Sequence, residues 1–179
     1  MLGSLRNTVL GLGIAVTAAF GAGTVPDTAL QAKAVHEIRM YPQYSIFDNI
    51  NVRVANGNIE LLGQVSEPYK KQDLLHIMQH IRGVASVTND LEVLPLSPMD
   101  NRIRWQVARA IYSDPVLSRY SMEPVGSIHI IVANGHVTLE GVVSNEMERN
   151  VAALRASGAG LSFGPVINNL RVEVPSRKS

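Results

Sequence analysis

Apolar residues recur along the chain with the two spacings that distinguish helices from strands. Spacings of three and four residues predict four amphipathic helices, and strict alternation in shorter stretches predicts half-buried strands. The inward helical positions are Leu30, Ala34 and Ile38; Leu74, Ile77, Met78 and Ile81; and Ile103, Val107, Ala110 and Ile111. Alternation at Leu61/Val65 and at Leu139/Val143 marks two of the strands. The chain is therefore expected to mix helices and sheets throughout.

A long internal repeat organises this pattern. Residues 52–66 recur as residues 130–144, with eight of fifteen positions identical at an offset of 78. Matches continue on both sides, and an acidic residue opens the first helix of each copy, Asp27 in one and Asp100 in the other. A repeat of this length indicates one structural module present twice.

Each copy has the same turn chemistry. Asn56-Gly57 and Asn134-Gly135 predict tight type I′ hairpins, because that turn needs positive φ at both central residues. Gly63 and Gly141 fall in the middle of the following strands, where a missing side chain usually marks a bulge or a close backbone approach. These six residues are expected to be structural.

The order of elements predicts an α+β fold made of two tandem α-β-β-α-β modules, each a three-stranded mixed sheet with two helices on one face. The second helix of the second copy, 145–156, runs into Ser157-Gly158-Ala159-Gly160 and is expected to be short or frayed. The expected boundaries are a signal peptide at 1–23, modules at 27–94 and 100–174, a proline-containing linker at 95–99, and a tail at 175–179.

The N-terminal residues are typical of a secretory signal. Arg6 precedes an apolar run, Val9–Phe20, that is too short to span a bilayer, and small residues follow it. We therefore expect a mature protein that begins between about Ala22 and Asp27 and is soluble in the periplasm. The sequence contains no cysteine, which excludes disulfides and a lipid-modified cysteine.

The charges of the two halves differ slightly in sign. Residues 27–95 hold six Lys+Arg and eight Asp+Glu, and residues 96–179 hold nine and seven. The positive excess of the second half is too small to suggest nucleic acid, but it makes that half the better candidate for an anionic surface.

The repeated pattern resembles the BON-domain family. Its helix, D-P-type break, strand, N-G turn, L-x-G-x-V-S strand and second helix are met in both copies. The closing G-V-x-x-V-x-N-x-L-x-V segment is met in the first copy by Gly83-Val84, Val87, Asn89, Leu91 and Val93. The second copy has Phe163-Gly164-Pro165 in place of the G-V segment.

This resemblance implies an exported or periplasmic protein with tandem BON domains. It also implies a link to envelope integrity, osmotic stress, phospholipid contact or help to other exported proteins. No catalytic residue of the family can be carried over, and the repeated glycines would serve the fold.

Candidate chemical sites in the sequence are weak. Asp73, His76 and His80 share one side of a helix, but no further ligand is evident, so a solvated polar face is favoured over a metal site. Ser66 and Ser144 are interpreted as helix N-caps, and His129 as a surface residue. We therefore expect no enzyme, no cofactor and no metal.

The helix at 101–112 is the most informative segment. Arg102, Trp105, Arg109 and Tyr112 are expected on the face opposite its apolar stripe. Arginines beside an aromatic ring are typical of helices at a membrane interface, where they meet phosphate and the headgroup boundary. Alternatively, Trp105 packs against the linker or the first module with the arginines directed outward.

Two functions follow from these alternatives. The first is binding to anionic phospholipid surfaces, and the second is a chaperone-like or scaffold role that holds envelope client proteins at apolar strips or sheet edges. The sequence leaves the oligomeric state open.

Overall fold

The computed structural model describes residues 25–123, 125–160 and 162–173, and it contains the elements expected of an α+β fold. The first half consists of α1 (Asp27–Met40), β1 (Asn49–Ala55), β2 (Asn58–Val65), α2 (Pro68–Gln79) and β3 (Ser86–Val93). The second consists of α3 (Pro98–Tyr112), a 3-10 helix (Ser118–Met122), β4 (Ile128–Ala133), β5 (His136–Val143), α4 (Glu146–Gly158), β6 (Ile167–Asn168) and β7 (Arg171–Val172). The expected signal peptide and C-terminal tail lie outside the described residues.

Each half builds a mixed sheet, which confirms the α+β class, but only the first sheet has the expected three strands, because the second has four. In the first sheet β1 pairs with β2 antiparallel and β3 joins β2 parallel. In the second, β4 pairs with β5 antiparallel, while β6 and β7 both join β5 parallel. A parallel neighbour requires a crossover connection, and the second helix of each half supplies it.

Each half also has its own hydrophobic core between its helices and its sheet. In the first half the core joins the predicted inward positions of α1 and α2 to Ile59, Leu61 and Val65 of β2. In the second half it joins α3 to Ile128, Ile130 and Val132 of β4, all fully buried. All three inward positions predicted for α1 are buried, and so are Ile103, Val107 and Ile111 of α3. The prediction for Ala110 is wrong, because it is only half-buried and Ala108 is the buried alanine of α3.

The second half is irregular, but not where the sequence suggested. Helix α4 spans 13 residues, one more than α2, so the expectation of a short or frayed helix is wrong. The Asn145 side chain stabilises its start by accepting a hydrogen bond from the backbone N–H of Glu148 at 2.9 Å. The irregularity lies instead in the last strand, which is split into β6 and β7, whereas β3 runs unbroken for eight residues.

Both hairpins contain the predicted turns. Asn56 and Asn134 each have φ of 52°, and the glycines after them have φ of 76° and 80°. Gly63 and Gly141 mark close backbone approaches, since a Cβ atom on either would lie 2.0 Å from a backbone oxygen of the neighbouring strand segment. Any other residue there would push the strands apart.

The first helix of each half is tied to the hairpin turn by a carboxylate. Asp27 accepts hydrogen bonds from the backbone N–H groups of Asn56 and Gly57 at 2.7 and 2.8 Å. Asp100 accepts the same pair of bonds from Asn134 and Gly135, at 2.9 and 2.8 Å. The acidic residue at the start of each helix therefore accepts hydrogen bonds from a turn about 30 residues away in sequence. Asp100 is 1% exposed, so its bonds lie out of water.

We expect Asp100→Ala to lower the free energy of unfolding by about 2–4 kcal/mol, because it leaves buried turn amides without their charged acceptor. Asp27→Ala should cost less, about 1–2 kcal/mol, since Asp27 is only half-buried. Urea denaturation measures both changes. Asp90→Ala, at an exposed position in β3, is the control, and an equal loss from that variant would contradict this role of Asp100.

Candidate functional site

The outer face of α3 presents a tryptophan between two arginines. Arg102, Trp105 and Arg109 are exposed, and Trp105 retains 65% of its accessible surface. The other charged residues of this helix, Asp100 and Arg104, are buried. Every charged side chain that α3 exposes is therefore an arginine. We call Arg102, Trp105 and Arg109 the arginine–tryptophan face.

Tyr112 does not belong to this face, which corrects the expectation from the sequence. Its side chain is half-buried against the second core, and its hydroxyl donates a hydrogen bond to the carbonyl oxygen of Ile128 at 2.5 Å. Burial raises the pKa of this hydroxyl above its usual value. The reason for the placement is a long connection to β4 that brings Gly126 under the ring, where a Cβ atom would lie 2.5 Å from the Tyr112 Oη.

Phe47 extends the arginine–tryptophan face from the other half of the chain. Its ring meets Trp105 edge to face, with the centroids 5.0 Å apart and the planes at 78°. The ring thus contacts the first half, as the packing alternative predicted, and still leaves most of its surface open. No local pattern in the sequence indicates Phe47, since the contact joins residues 58 positions apart.

Phe47 belongs to a connection between α1 and β1 that contacts the second half. We call residues 41–48 the docking loop. The carbonyl oxygen of Ile46 accepts a hydrogen bond from the backbone N–H of Ile130 in β4 at 2.7 Å. Tyr44 stacks on His129 at 5.7 Å between ring centroids, and its hydroxyl lies 3.4 Å from the His129 Nε2. His129 is consequently half-buried in this contact rather than a surface residue.

A buried ion pair holds the end of the docking loop. Asp48 is fully buried, and it accepts hydrogen bonds from the Lys70 Nζ at 2.7 Å and from both the N–H and Oγ of Ser66, at 2.7 and 2.8 Å. Ser66 is therefore not the N-cap of α2, a position held by Glu67. A buried charge requires a partner of opposite charge. If the docking loop moved away, the Lys70 ammonium would lose the Asp48 carboxylate and remain without a compensating charge.

The comparisons with known proteins agree with the repeated architecture. The family model described as the BON domain matches residues 26–95 and again residues 100–174, which together make up most of the chain. This protein belongs to the BON-domain family. The family is associated with envelope and periplasmic proteins, and membership points to a non-catalytic role.

Two solved structures resemble the tandem BON protein distantly. Both are of CdsD, a structural protein of the type III secretion system of Chlamydia trachomatis, and one of them is its C-terminal domain. Identities are 16% and 17% over 79% and 80% of this chain, with a TM-score of 0.32 in each case. The chain spans 61% and 66% of those chains, and a likeness of this size carries no functional argument. No curated protein matches.

The second BON module has an ion pair at the same place with the charges exchanged, although its arginine, Arg119, is 52% exposed. At an offset of 78, Glu148 of α4 stands where Lys70 stands in α2. Its carboxylate accepts hydrogen bonds from Arg119 at 2.7 Å, from the Tyr120 hydroxyl at 2.5 Å and from the Ser144 N–H at 3.0 Å. Both modules thus anchor the connection between first helix and first strand on the start of the second helix.

The histidine-containing face of α2 is occupied by local hydrogen bonds. Asp73 accepts from the Tyr41 hydroxyl at 2.6 Å, and the His80 Nδ1 lies 2.6 Å from the carbonyl oxygen of His76. Within the described residues, no three His, Cys, Asp or Glu side chains gather as metal ligands would. Every helix in the described ranges is also too short or too polar to cross a bilayer.

We expect the stability of the contact between the two BON modules to depend on pH through His129, which lies in that contact. Burial lowers its pKa below 6.5, and the backbone carbonyl groups of Asp48 and Ser45 and the Asp48 carboxylate offset this only in part. The folded protein therefore holds His129 neutral at pH values where the unfolded chain already binds a proton. Stability should fall as pH drops below about 6.5 and level off below the lowered pKa.

We expect His129→Asn to flatten this part of the stability profile, because asparagine does not titrate and already occupies the equivalent position in the first module, as Asn51. Urea midpoints measured between pH 5 and pH 8 test this. His36→Asn, at an exposed position on α1, is the control and should leave the slope unchanged. An undiminished slope in His129→Asn would show that other groups cause the dependence.

Proposed function

We propose that this protein is an exported, non-catalytic envelope protein that binds anionic phospholipid surfaces through its second BON module. Such binding would support envelope integrity or tolerance of osmotic stress. The observation that carries the proposal is the arginine–tryptophan face, in which an exposed tryptophan lies between two exposed arginines on a helix that exposes no acidic side chain.

The chemistry of this face suits a lipid headgroup. Guanidinium groups form paired, charge-assisted hydrogen bonds with phosphate oxygens, and tryptophan is enriched where headgroups meet acyl chains. Phe47 beside Trp105 enlarges the apolar part of the contact. Charged and apolar elements together are what an interfacial helix uses to lie on a membrane.

The binding would be weak and reversible. Each basic residue near an anionic surface contributes about 1 kcal/mol, and this attraction fades as salt shortens the Debye length. Insertion of the Trp105 ring adds a contribution of similar size, about 1–2 kcal/mol. A single copy should therefore associate with the membrane peripherally.

The proposal includes export to the periplasm, where the protein would be soluble and meet a membrane surface only peripherally. It rests on the signal-like residues Arg6 and Val9–Phe20 and on the association of the BON family with the envelope. In this proposal, attachment to the membrane depends on the protein surface.

Charge reversal at Arg102 and Arg109 is the test of this function. The double variant Arg102→Glu/Arg109→Glu should lose binding to vesicles of phosphatidylglycerol and phosphatidylethanolamine, because attraction to phosphate becomes repulsion. Co-sedimentation at low and physiological salt measures the effect. The fold should survive, since neither residue contributes to the core.

The matched control is Arg82→Glu/Arg171→Glu, which changes the net charge equally at exposed positions outside α3. It should bind vesicles nearly as the wild type does. If the two double variants lose binding equally, the attraction comes from net charge rather than from this face. If neither loses it, the proposed face is wrong.

Trp105→Ala separates membrane contact from structural packing. We expect vesicle affinity to fall about fivefold to twentyfold, corresponding to about 1–2 kcal/mol of lost insertion. The free energy of unfolding should fall by only about 0.5–1.5 kcal/mol, the worth of one aromatic pair with Phe47. Calorimetry and vesicle titration measure the two effects. A large stability loss with unchanged vesicle binding would assign the ring to the module contact.

A further inference from the structure

The contact between the two BON modules rests on a few residues of the docking loop. Among the described residues it includes one backbone hydrogen bond, donated by Ile130, and two ring contacts, one on His129 and one on Trp105. Ile46 and Phe47 also pack against the second core. Each of the ion pairs among the described residues joins two side chains of the same module. Relative motion is the ordinary expectation for modules joined by so small a contact.

His129 is the group in this contact whose charge changes near neutral pH. Its ring stacks on Tyr44, and its Nε2 lies 3.4 Å from the Tyr44 hydroxyl. Its Nδ1 is buried and has no hydrogen-bond partner among the described residues. Burial also raises the pKa of Tyr44 to about 12, so this neighbour stays neutral and offers no opposite charge. A protonated ring has two N–H donors, and the docked arrangement gives neither of them an acceptor at good hydrogen-bond geometry.

The charged groups that face His129 come from the docking loop and from β5. The Asp48 carboxylate ends the docking loop, and Lys70 already holds it at 2.7 Å. Glu140 lies opposite His129 in the β4–β5 register, and its side chain accepts a hydrogen bond from Asn169 at 2.8 Å. The Asp48 carboxylate and the carbonyl groups of the loop offset the burial of the ring only in part, so the contact favours the neutral ring.

We propose that acid opens the contact between the two modules, because a protonated His129 is not retained against the docking loop. The buried ion pair keeps the loop on its own module, so the movement separates the modules about residues 94–97, which join β3 to α3. Each module keeps its own core. The open form exposes Phe47 and the part of Trp105 that Phe47 covers. The contact therefore acts as a pH-dependent switch between a closed and an open pair of modules.

The direction of the effect follows from proton linkage. Above the usual histidine pKa the ring is neutral in both forms, so pH does not act on the equilibrium. Below it the exposed ring of the open form binds a proton first, and the open form gains until the closed form also binds one. The attraction that remains in acid comes from Arg104, whose charge Asp48 and Glu67 of the first module stabilise and which does not titrate in this range.

The fluorescence of Trp105 and small-angle X-ray scattering test the proposal, and neither measurement needs lipid. Trp105 is the only tryptophan in the sequence, so the emission reports its surroundings alone. Between pH 7.5 and pH 5 this emission should move to longer wavelength, and the radius of gyration should increase. The open-to-closed ratio should rise at least about threefold over this range. The result is therefore independent of the membrane proposal.

A pair of matched variants assigns the response to one ring. His129→Asn should remove both changes and keep the compact radius of gyration of the wild type at pH 7.5, because asparagine does not titrate. His36→Asn, at an exposed position on α1, is the control and should respond to acid as the wild type does.

A wild type with the same emission and the same radius of gyration at both pH values overturns the proposal. So does an acid response that persists in His129→Asn. If that variant is already open at pH 7.5, titration of the His129 ring by NMR decides, since its midpoint must coincide with that of Trp105 emission in the wild type. Circular dichroism should stay unchanged at pH 5, and a loss of secondary structure in step with the emission change overturns the proposal in favour of global unfolding.

Discussion

A single carboxylate at the start of the first helix holds each module together. Asp27 and Asp100 accept two backbone N–H groups from turns that lie about 30 residues away in sequence. The bonds fix the start of the first helix on the hairpin turn, and the apolar stripe of the helix then packs on the sheet. In the second module this leaves Arg102, Trp105 and Arg109 on the outside. The proposed lipid face thus depends on the hydrogen bonds that Asp100, at the start of the same helix, makes with the hairpin turn.

A second constraint connects the two modules. Asp48 is held by Lys70 and Ser66 at the base of the docking loop, so Ile46 and Phe47 arrive at β4 and α3 in a defined position. The contact between the modules is therefore supported by buried polar residues of the first module. Phe47 takes part both in the contact between the modules and in the surface around Trp105. The proposed lipid face therefore includes a residue from each module.

Local rules predicted much of this structure. The Asn-Gly turns, the mid-strand glycines and, apart from Ala110, the inward faces of α1 and α3 each depend on a few neighbouring residues, and the repeat supplied every one of them twice. The failures share a different cause. Tyr112, Phe47 and His129 are placed by contacts between distant segments, which periodicity along one helix or strand does not report. The regular length of α4 was likewise missed, because Asn145 stabilises its start, Gly158 is only its last residue and Gly160 lies beyond its end.

The exchanged polarity of the Lys70–Asp48 and Arg119–Glu148 ion pairs has a consequence for folding. Two modules of similar sequence in one chain can exchange equivalent segments while the chain folds, and such misassembly is a characteristic failure of repeat proteins. If α4 took the place of α2, the Glu148 carboxylate would be buried beside Asp48. The reverse exchange would place the Lys70 ammonium beside Arg119, whose side chain is 52% exposed. Both swaps bring like charges together, and the first does so out of water, so the exchanged polarity disfavours exchange of the two helices.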